Sequence, residues 1–342
     1  MTDIKEKAAA LMEWFSPGGI FYPVLHLLFT PGWWQLLLCF LSCSFLMIFS
    51  LNAVEKNGFE GSLVGTLVMP YFSGFPNLCF AWLMARNSAN GVLVLENCLV
   101  NNVTNLTLIP ALPAILWGLR LSNGKETLSP DMRISLLSLL LSILALGFFS
   151  LALFFMSRDG KLDAVDGTLL LGIFLFWQLF HVFEVLKNNT REKRQIKKRI
   201  LFDLLIIGFC AWGIFSSIEG LIQWIFAHGK GFFSKSNLGL LSGLLMVVPN
   251  AFLALYYSAV HRSDIAYASQ IGDCHICIPL CVGIFAVFST IRVPANMETG
   301  IFIIMGAAAG HFLFLAFMKR LPRFAGVFLA GLYAFFIYKE IL

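Results

Sequence analysis

Charge is scarce in this sequence. Of its 342 residues only 13% are Asp, Glu, Lys or Arg, about half the roughly 25% of a soluble domain. Too little charge is present to cover a water-facing surface, so most of the chain is expected to sit in lipid. A glycine-rich phosphate loop is also missing, which argues against an ATP-driven pump built on this chain alone. The N-terminal stretch "MTDIKEKAAALMEWFSPGGIFYPVLHLLFTPGWW" has no compact apolar core followed by a small-residue cleavage site, so it does not read as a signal peptide. Ala8 to Phe15 is expected to lie along the interface instead, with Trp33 and Trp34 anchoring the first span. A disulfide framework is absent too. The eight cysteines, Cys39, Cys43, Cys79, Cys98, Cys210, Cys274, Cys277 and Cys281, all lie in or beside apolar runs, as small buried thiols do. The net charge of +5 is modest and reflects topology rather than a nucleic-acid partner.

What is present in abundance is oil. Hydrophobic residues make up 58% of the chain, with 35 phenylalanines, and the mean hydropathy is +0.82. The apolar runs read as spans at 33–54, 61–85, 91–120, 132–156, 165–187, 199–228, 236–260, 266–291, 297–318 and 322–340. Between the fifth and sixth lies "KNNTREKRQIKKR", which holds seven basic residues against Glu192 alone. Such a cluster stays in the cytoplasm, and Lys56, Arg120, Lys125, Arg133, Arg262, Lys319, Arg320 and Arg323 fall on the same face. An even number of spans then puts both termini outside, in a multi-pass protein of the plasma (inner) membrane. The fold class expected is therefore all-α integral membrane, with about ten transmembrane helices. Residues 1–32 form an interfacial segment, 33–187 a first five-helix unit, 188–198 the basic loop and 199–342 a second five-helix unit. An odd number of spans per unit means that a duplicated unit enters the membrane inverted.

The chain does repeat. "GFPNLCFAWLMAR" (74–86) resembles "VVPNAFLALYYSAVHR" (247–262), and Asn77 falls on Asn250 at a separation of 173 positions. Asn97 and Asn101 then fall on Ser269 and Asp273 at a separation of 172. These same segments carry most of the polarity within the spans: Thr66, Ser73 and Asn77; Glu96, Asn97, Asn101, Asn102, Thr104, Asn105 and Thr107; Ser242 and Asn250; Ser269, Gln270, Asp273 and His275. Polar groups at membrane depth are costly and face the protein interior or water. At helical spacing Asn97, Asn101 and Asn105 form one stripe, and Ser269 and Asp273 another. Both stripes can face a shared centre, although asparagines also serve simply to tie helices together. Prolines 70, 76, 110, 113, 249 and 279 punctuate the same helices. Each lacks an N–H and frees a carbonyl one turn earlier. In lipid that carbonyl needs a partner, and a desolvated cation is one.

These residues resemble the repeats of the calcium/cation antiporter superfamily, the sodium/calcium exchanger-like proteins. Each repeat of that family has a first helix with G-T-S-x-P-E and a second with D-x-A-x-G-N-x-x-G-S-N-I-x-N. "DIAYASQIGDCHIC" (264–277) lies on the second motif without gaps: Asp264, Ala266 and Gly272 keep their slots, Ser269 takes the first Asn slot and Asp273 the Ser slot. "VLVLENCLVNNVTN" (92–105) lies on it as well: Asn97, Asn102 and Asn105 match the asparagines and Asn101 replaces the Ser. "FSGFPN" (72–77) and "MVVPN" (246–250) are similar to the P-E helices. The resemblance implies alternating access around one central cation site. One departure stands out. The two P-E glutamates, the family's main calcium ligands, are here Asn77 and Asn250. Calcium favours several carboxylates, and removing two charges from a buried dication site leaves desolvation unbalanced. A lone carboxylate among amide and hydroxyl oxygens better suits a monovalent ion, or an anionic or neutral solute bound together with sodium.

The expectation is thus a secondary active transporter, a cation antiporter working against sodium or protons. Its binding residues would be Ser73, Asn77, Glu96, Asn97, Asn101, Asn102, Asn250, Ser269 and Asp273, with His275 as a candidate proton carrier. The partners expected are an inorganic cation (Na+, H+ or Ca2+) and the bilayer. No cofactor is expected, and no metal beyond the transported ion. Cys274, Cys277 and Cys281 share a helical face and could attract a soft metal, but read more simply as packing residues. Two rivals remain: a drug/metabolite-type exporter, also built as five plus five, and a non-transporting membrane enzyme or assembly factor. "SQIGDCH" offers Ser, Asp and His, but on one short helix they cannot form a catalytic triad without partners elsewhere.

Overall fold

The computed structural model describes residues 32–56, 71, 73–86, 90–121, 130–188, 199–260, 262–294 and 296–341. The interfacial segment up to residue 31, Thr66 and Pro70, and basic residues 189–198 lie outside the described residues. The rest is helical: α1 (Trp33–Lys56), α2 (Phe75–Arg86), α3 (Gly91–Leu106), α4 (Leu108–Trp117), α5 (Pro130–Met156), α6 (Ala164–Asn188), α7 (Arg199–His228), α8 (Leu238–Ala259), α9 (Ser263–His275), α10 (Gly283–Phe288), α11 (Met297–Leu313) and α12 (Arg323–Ile341). Among the described residues seven helical stretches are long and apolar enough to cross a membrane. The sequence reading adds three more, over α2, α6 and α12. Large apolar side chains face outward, such as Phe49, Phe176 and Phe317, which are 73–80% exposed. Outward aliphatic and aromatic groups are what lipid, rather than water, accommodates.

Two expected spans are broken. The first divides at Thr107, whose backbone leaves the helical region at φ −116° and ψ −75°, just before Pro110. The second passes from α9 through a π-helical stretch, Ile276–Val282, into α10. Pro279, with no N–H to give, lies inside that stretch. The two interruptions occupy the same place in the two repeats.

Four two-residue strands fix how the halves are oriented. β1 (Leu119–Arg120), just after α4, pairs with β4 (Arg320–Leu321), just before α12. β2 (Lys161–Leu162), after α5, pairs with β3 (Ile291–Arg292), after α10. Helix α5 has 27 residues, or about 40 Å at about 1.5 Å per residue, so the two ribbons lie at opposite ends of the bundle. Chain segment α3–α4 therefore ends on one face and α9–α10 on the other. They run in opposite directions, as inverted repeats must.

The inversion extends to individual atoms. Leu119 opposes Leu321, and its mate Ile291 opposes Leu162. Leu121 N donates to Lys319 O, and Val293 N to Gly160 O, both at 3.0 Å. Gly160 and Lys319 each adopt a left-handed backbone, φ 83° and 53°. Gly167 on α6 touches the Gly283 carbonyl, Ala286 and Val287, while Gly326 on α12 touches the Ala111 carbonyl, Ala114 and Ile115. The second set follows the first residue for residue.

These glycines let helix backbones meet. A Cβ at Gly167 would lie 2.7 Å from Val287 N and 2.8 Å from Gly283 O, whereas at Gly326 the nearest atoms are at 3.0 Å. Backbone cannot step aside as a side-chain tip can. Gly167→Ala is expected to lower stability by about 1–3 kcal/mol, and Gly326→Ala by less. Thermal unfolding in detergent, run on both variants, reads that order.

Helix α1 packs along α7, α3 along α8, α5 along α11, α4 on α12 and α6 on α10. One buried core, including Phe80, Phe149, Phe285 and Phe336, runs through both repeats. Asp203 on α7 is buried, at 4% exposed.

Candidate functional site

The site forms where α3 crosses α9 and the π stretch. Asn97, Asn101, Asn102, Asn105 and Asp273 are all fully buried there, as are Asn77 on α2 and Asn250 on α8. A buried carboxylate or amide without partners is costly, so their hydrogen bonds define the site.

The bonds form symmetric pairs. Asn102 Nδ2 donates to Cys274 O at 3.2 Å, and Cys274 Sγ donates back to Asn102 O at 3.9 Å. Around this reciprocal pair, Asn105 Nδ2 donates to Asp273 Oδ2 at 2.6 Å, and Cys277 Sγ donates to Asn101 Oδ1 at 3.3 Å. Exchange of each residue for its mate 172 positions away converts one of these two bonds into the other. The pseudo-twofold axis thus passes by Asn102 and Cys274. What breaks the symmetry is charge, since Asp273 has a carboxylate where its mate Asn101 has an amide.

Asn105 Nδ2 also donates to Asn101 Oδ1 at 2.8 Å. The Asp273 carboxyl has the amides of Asn101 and Asn250 beside it, although no donor meets its Oδ1 in hydrogen-bond geometry. A Cβ at Gly74, between Ser73 and α2, would lie 3.0 Å from that same oxygen. Gln270 Nε2 donates to Asn250 O at 3.3 Å, tying α8 to α9. Asn97 Nδ2 donates to Ser242 Oγ at 3.0 Å, with Met246 Sδ 3.5 Å away.

Many oxygens in this centre nevertheless lack a donor. Oδ1 of Asn77, Asn97, Asn102, Asn105, Asn250 and Asp273, together with Gln270 Oε1, are buried without a hydrogen-bond partner, as are Nδ2 of Asn77, Asn101 and Asn250. Native interiors leave few such groups, and each needs an explanation. Neutral oxygens gathered around one carboxylate are the donor set of a hard cation.

The structure brings Asn101, Asn102, Asn250 and Asp273 together, with Asn97 one turn away along α3. Ser73 precedes Gly74 and is buried, as is Ser269 one turn before Asp273. Asn77 is buried on α2, which packs on the π stretch. Glu96 points elsewhere. It is only partly buried and lies against Gly239 at the start of α8, a position set by its roughly 100° turn from Asn97. His275 also faces away from Asp273, bonding Ser142 O through Nε2 at 2.9 Å and setting its ring against Phe149 and Trp177. Cys274, Cys277 and Cys281 are buried free thiols, and among the described residues no group of His, Cys, Asp or Glu could hold a metal ion.

The prolines act differently from the sequence expectation. Pro110 frees the Leu106 carbonyl, but His311 Nε2 takes it at 2.7 Å. That bond makes Nδ1 the acceptor of the neutral ring, facing the Tyr267 hydroxyl at 3.4 Å. Asn102 takes the Cys274 carbonyl beside the π stretch. Side chains, rather than an ion, satisfy these two carbonyls. His311→Phe is expected to strand the Leu106 carbonyl and cost about 1–3 kcal/mol, with His311→Gln losing less. Thermal unfolding of the two variants checks this.

Sequence reasoning left Asn105, Gln270, Gly74 and His311 out of the site. Asn105 was detectable as the third asparagine of its stripe, and Gln270 as the neighbour of Ser269. Nothing local marks Gly74 or His311. Asn105, Gln270, Tyr267 and His311 line a cavity of about 10 Å³, room for about one water.

Known proteins share the fold. A family model described as "Sodium/calcium exchanger protein" matches residues 33–183. No curated protein sequence matches the chain. Among solved structures, the sodium-calcium exchanger NCX_Mj soaked with 2.5 mM Na+ and 0.1 mM Sr2+ is similar at a TM-score of 0.64 and 15% identity, covering 89% of this chain and 96% of that one. The same exchanger soaked with 100 mM Na+ and 10 mM Sr2+ gives 0.64 at 17% identity, over 90% of this chain and 97% of that one. Without Na+ and Ca2+ it gives 0.61 at 16% identity, over 90% and 98%.

Proposed function

We propose that the chain is a divergent relative of the calcium/cation antiporters, a transporter rather than an enzyme, and that it exchanges one cation against sodium or protons by alternating access at a site centred on Asp273; the sodium/calcium exchanger model over residues 33–183 and the likeness of fold to NCX_Mj support this reading. The observation that carries this reading is the set of buried, unpartnered oxygens near a lone carboxylate beside the pseudo-twofold axis. Asn101, Asn102, Asn105, Asn250 and Asp273 would replace the ion's water shell, with Ser73, Asn77, Asn97 and Ser269 around them. One carboxylate balances one positive charge. A monovalent ion therefore fits better than calcium, whose second charge would stay unbalanced in a desolvated site.

Charge also supports a direction of insertion. The face with β1 and β4 carries Arg120, Arg133, Lys187, Arg199, Arg262, Lys319, Arg320 and Arg323, with Asp264 opposing them, and the basic run 191–198 joins helices that end there. The face with β2 and β3 has fewer basic residues, Arg86, Arg158, Lys161, Lys230, Lys235, Arg292 and Lys339, mixed with Asp159, Asp163, Asp166 and Glu298. By the positive-inside rule the first face is cytoplasmic and the termini lie outside.

A drug/metabolite-type exporter would need a cavity of about 300 Å³ or more, and the cavity beside the site is about 10 Å³. The test is flux in proteoliposomes under sodium, potassium, calcium and proton gradients. Monovalent-cation movement driven by a counter-gradient is expected. Absence of flux under every gradient would sink the proposal, and sodium-dependent calcium uptake at ordinary affinity would overturn the preference for a monovalent ion.

A further inference from the structure

We propose that the side-chain amide of Asn105 stands in for the cation when none is bound, and that a monovalent cation enters by turning this amide half a revolution, so that Oδ1 replaces Nδ2. This deepens, and rests on, the cation-site reading above.

Asn105 Nδ2 donates to two oxygens at once. One is Asn101 Oδ1 at 2.8 Å on the same helix, and the other is Asp273 Oδ2 at 2.6 Å from the opposite repeat. An –NH2 group with both hydrogens aimed at two close oxygens presents partial positive charge where a desolvated cation would sit. It thereby keeps the carboxylate hydrogen-bonded inside the protein.

The same side chain has its other end idle. Asn105 Oδ1 is buried without a partner. The two ends of an amide are close to isosteric, so a half turn about the terminal torsion changes chemistry with little change in packing; the ion must offset the cost of burying the –NH2 where Oδ1 now lies without a partner. Two donors disappear and one ligand oxygen appears. The ion would then be held by Asn101 Oδ1, Asn105 Oδ1 and Asp273 across both repeats.

Orientation and occupancy are coupled. With no cation, an outturned Nδ2 would set Asn105 Oδ1 against the Asp273 carboxylate, oxygen against oxygen. With a cation, the inturned Nδ2 would set hydrogens against positive charge. Each arrangement excludes the other. Because the amide is neutral, the ion that displaces it meets one formal charge, Asp273, which again specifies a monovalent cation.

The test uses protein isotope-labelled at the asparagine side-chain nitrogens, purified in detergent with N-methylglucamine as the only cation, and titrated with NaCl or KCl. The Asn105 N–H pair is assigned in the NMR spectrum by its loss in Asn105→Asp and, separately, in Asn105→Ser. Before titration, one N–H is expected far downfield, shifted by the short bond to Asp273. That shift is expected to vanish with the same midpoint as the rise in thermal stability. Asn105→Asp, which presents oxygen in either orientation, is expected to bind the cation about tenfold more tightly or better, as an added nearby charge does. Stabilisation by cation with the resonance unmoved overturns the switch and leaves the site intact. No stabilisation by any cation, again with the resonance unmoved, overturns the switch and the cation site together.

Discussion

Asp273→Asn is expected to abolish cation exchange in proteoliposomes while the protein still folds. The substitution keeps shape and removes charge. Asn105 Nδ2, now 2.6 Å from a carboxylate oxygen, would meet an amide oxygen of nearly the same position. Folding loses one charge-assisted bond, worth more than a neutral one, but gains relief from burying a charge that no countercharge balances. The net change in stability should be within about 1–2 kcal/mol. Transport has no such compensation. Neutral oxygens alone must then strip water from the ion, and the loss should reach about a hundredfold or more, or about 2.7 kcal/mol of binding in the occluded state. Counter-ion-driven tracer flux measured beside thermal unfolding separates the two effects. Full flux in a folded Asp273→Asn protein would show that the carboxylate does not carry the ion.

Asn250→Asp is expected to turn selectivity toward divalent cations. Asn250 is fully buried beside the Asp273 carboxyl, and neither its Nδ2 nor its Oδ1 has a hydrogen-bond partner. The change therefore loses at most the contact of the Asn250 amide with the Asp273 carboxyl. It brings a second carboxylate to the first, and without an ion the like charges repel in a desolvated centre. A dication cancels both charges, whereas a monovalent ion cancels one. Calcium should then raise the unfolding temperature of Asn250→Asp strongly and that of the wild type little. Calcium affinity should rise about tenfold or more, at about 1.4 kcal/mol per decade. An equal calcium response in the two proteins would mean that residue 250 lies outside the ion's coordination shell, whatever the burial suggests. Asn77→Asp, its mate across the pseudo-twofold, is the natural companion.

Much of the architecture was legible because it rests on composition and period. Long apolar runs with few charges require helices in lipid, and the described helices follow them closely. The repeat was legible in Pro76-Asn77 and Pro249-Asn250, and in the asparagine stripe matched by Ser269 and Asp273. Other features were hidden. The first and second repeats keep a separation of 172 between Leu119 and Ile291, but Gly160 answers to Lys319 at 159. The intervening segments differ in length, so no single offset relates the repeats, and glycine against lysine shares no chemistry. What the two positions share is a left-handed backbone, which becomes visible only in coordinates. Glu96 and His275 show the opposite case. Their residue types suggested function, but helical rotation turns Glu96 to Gly239 and His275 to the Ser142 carbonyl.

Sequence alone determined that this chain is a helical membrane protein, duplicated, with most of its intramembrane polarity on four helices. Those properties follow from local chemistry: each is fixed by neighbours along the chain and by the cost of bare polar groups in lipid. Tertiary structure decided which of those residues meet. The crossing of α3 with α9 sets Asn105 between Asn101 and Asp273, bonds Asn102 to Cys274, and leaves the remaining amide oxygens unpartnered. That outcome depends on antiparallel packing of segments about 170 positions apart in the chain, and on glycines that let backbones touch. Distances of that kind are set by three-dimensional fit, which no local pattern of residues encodes.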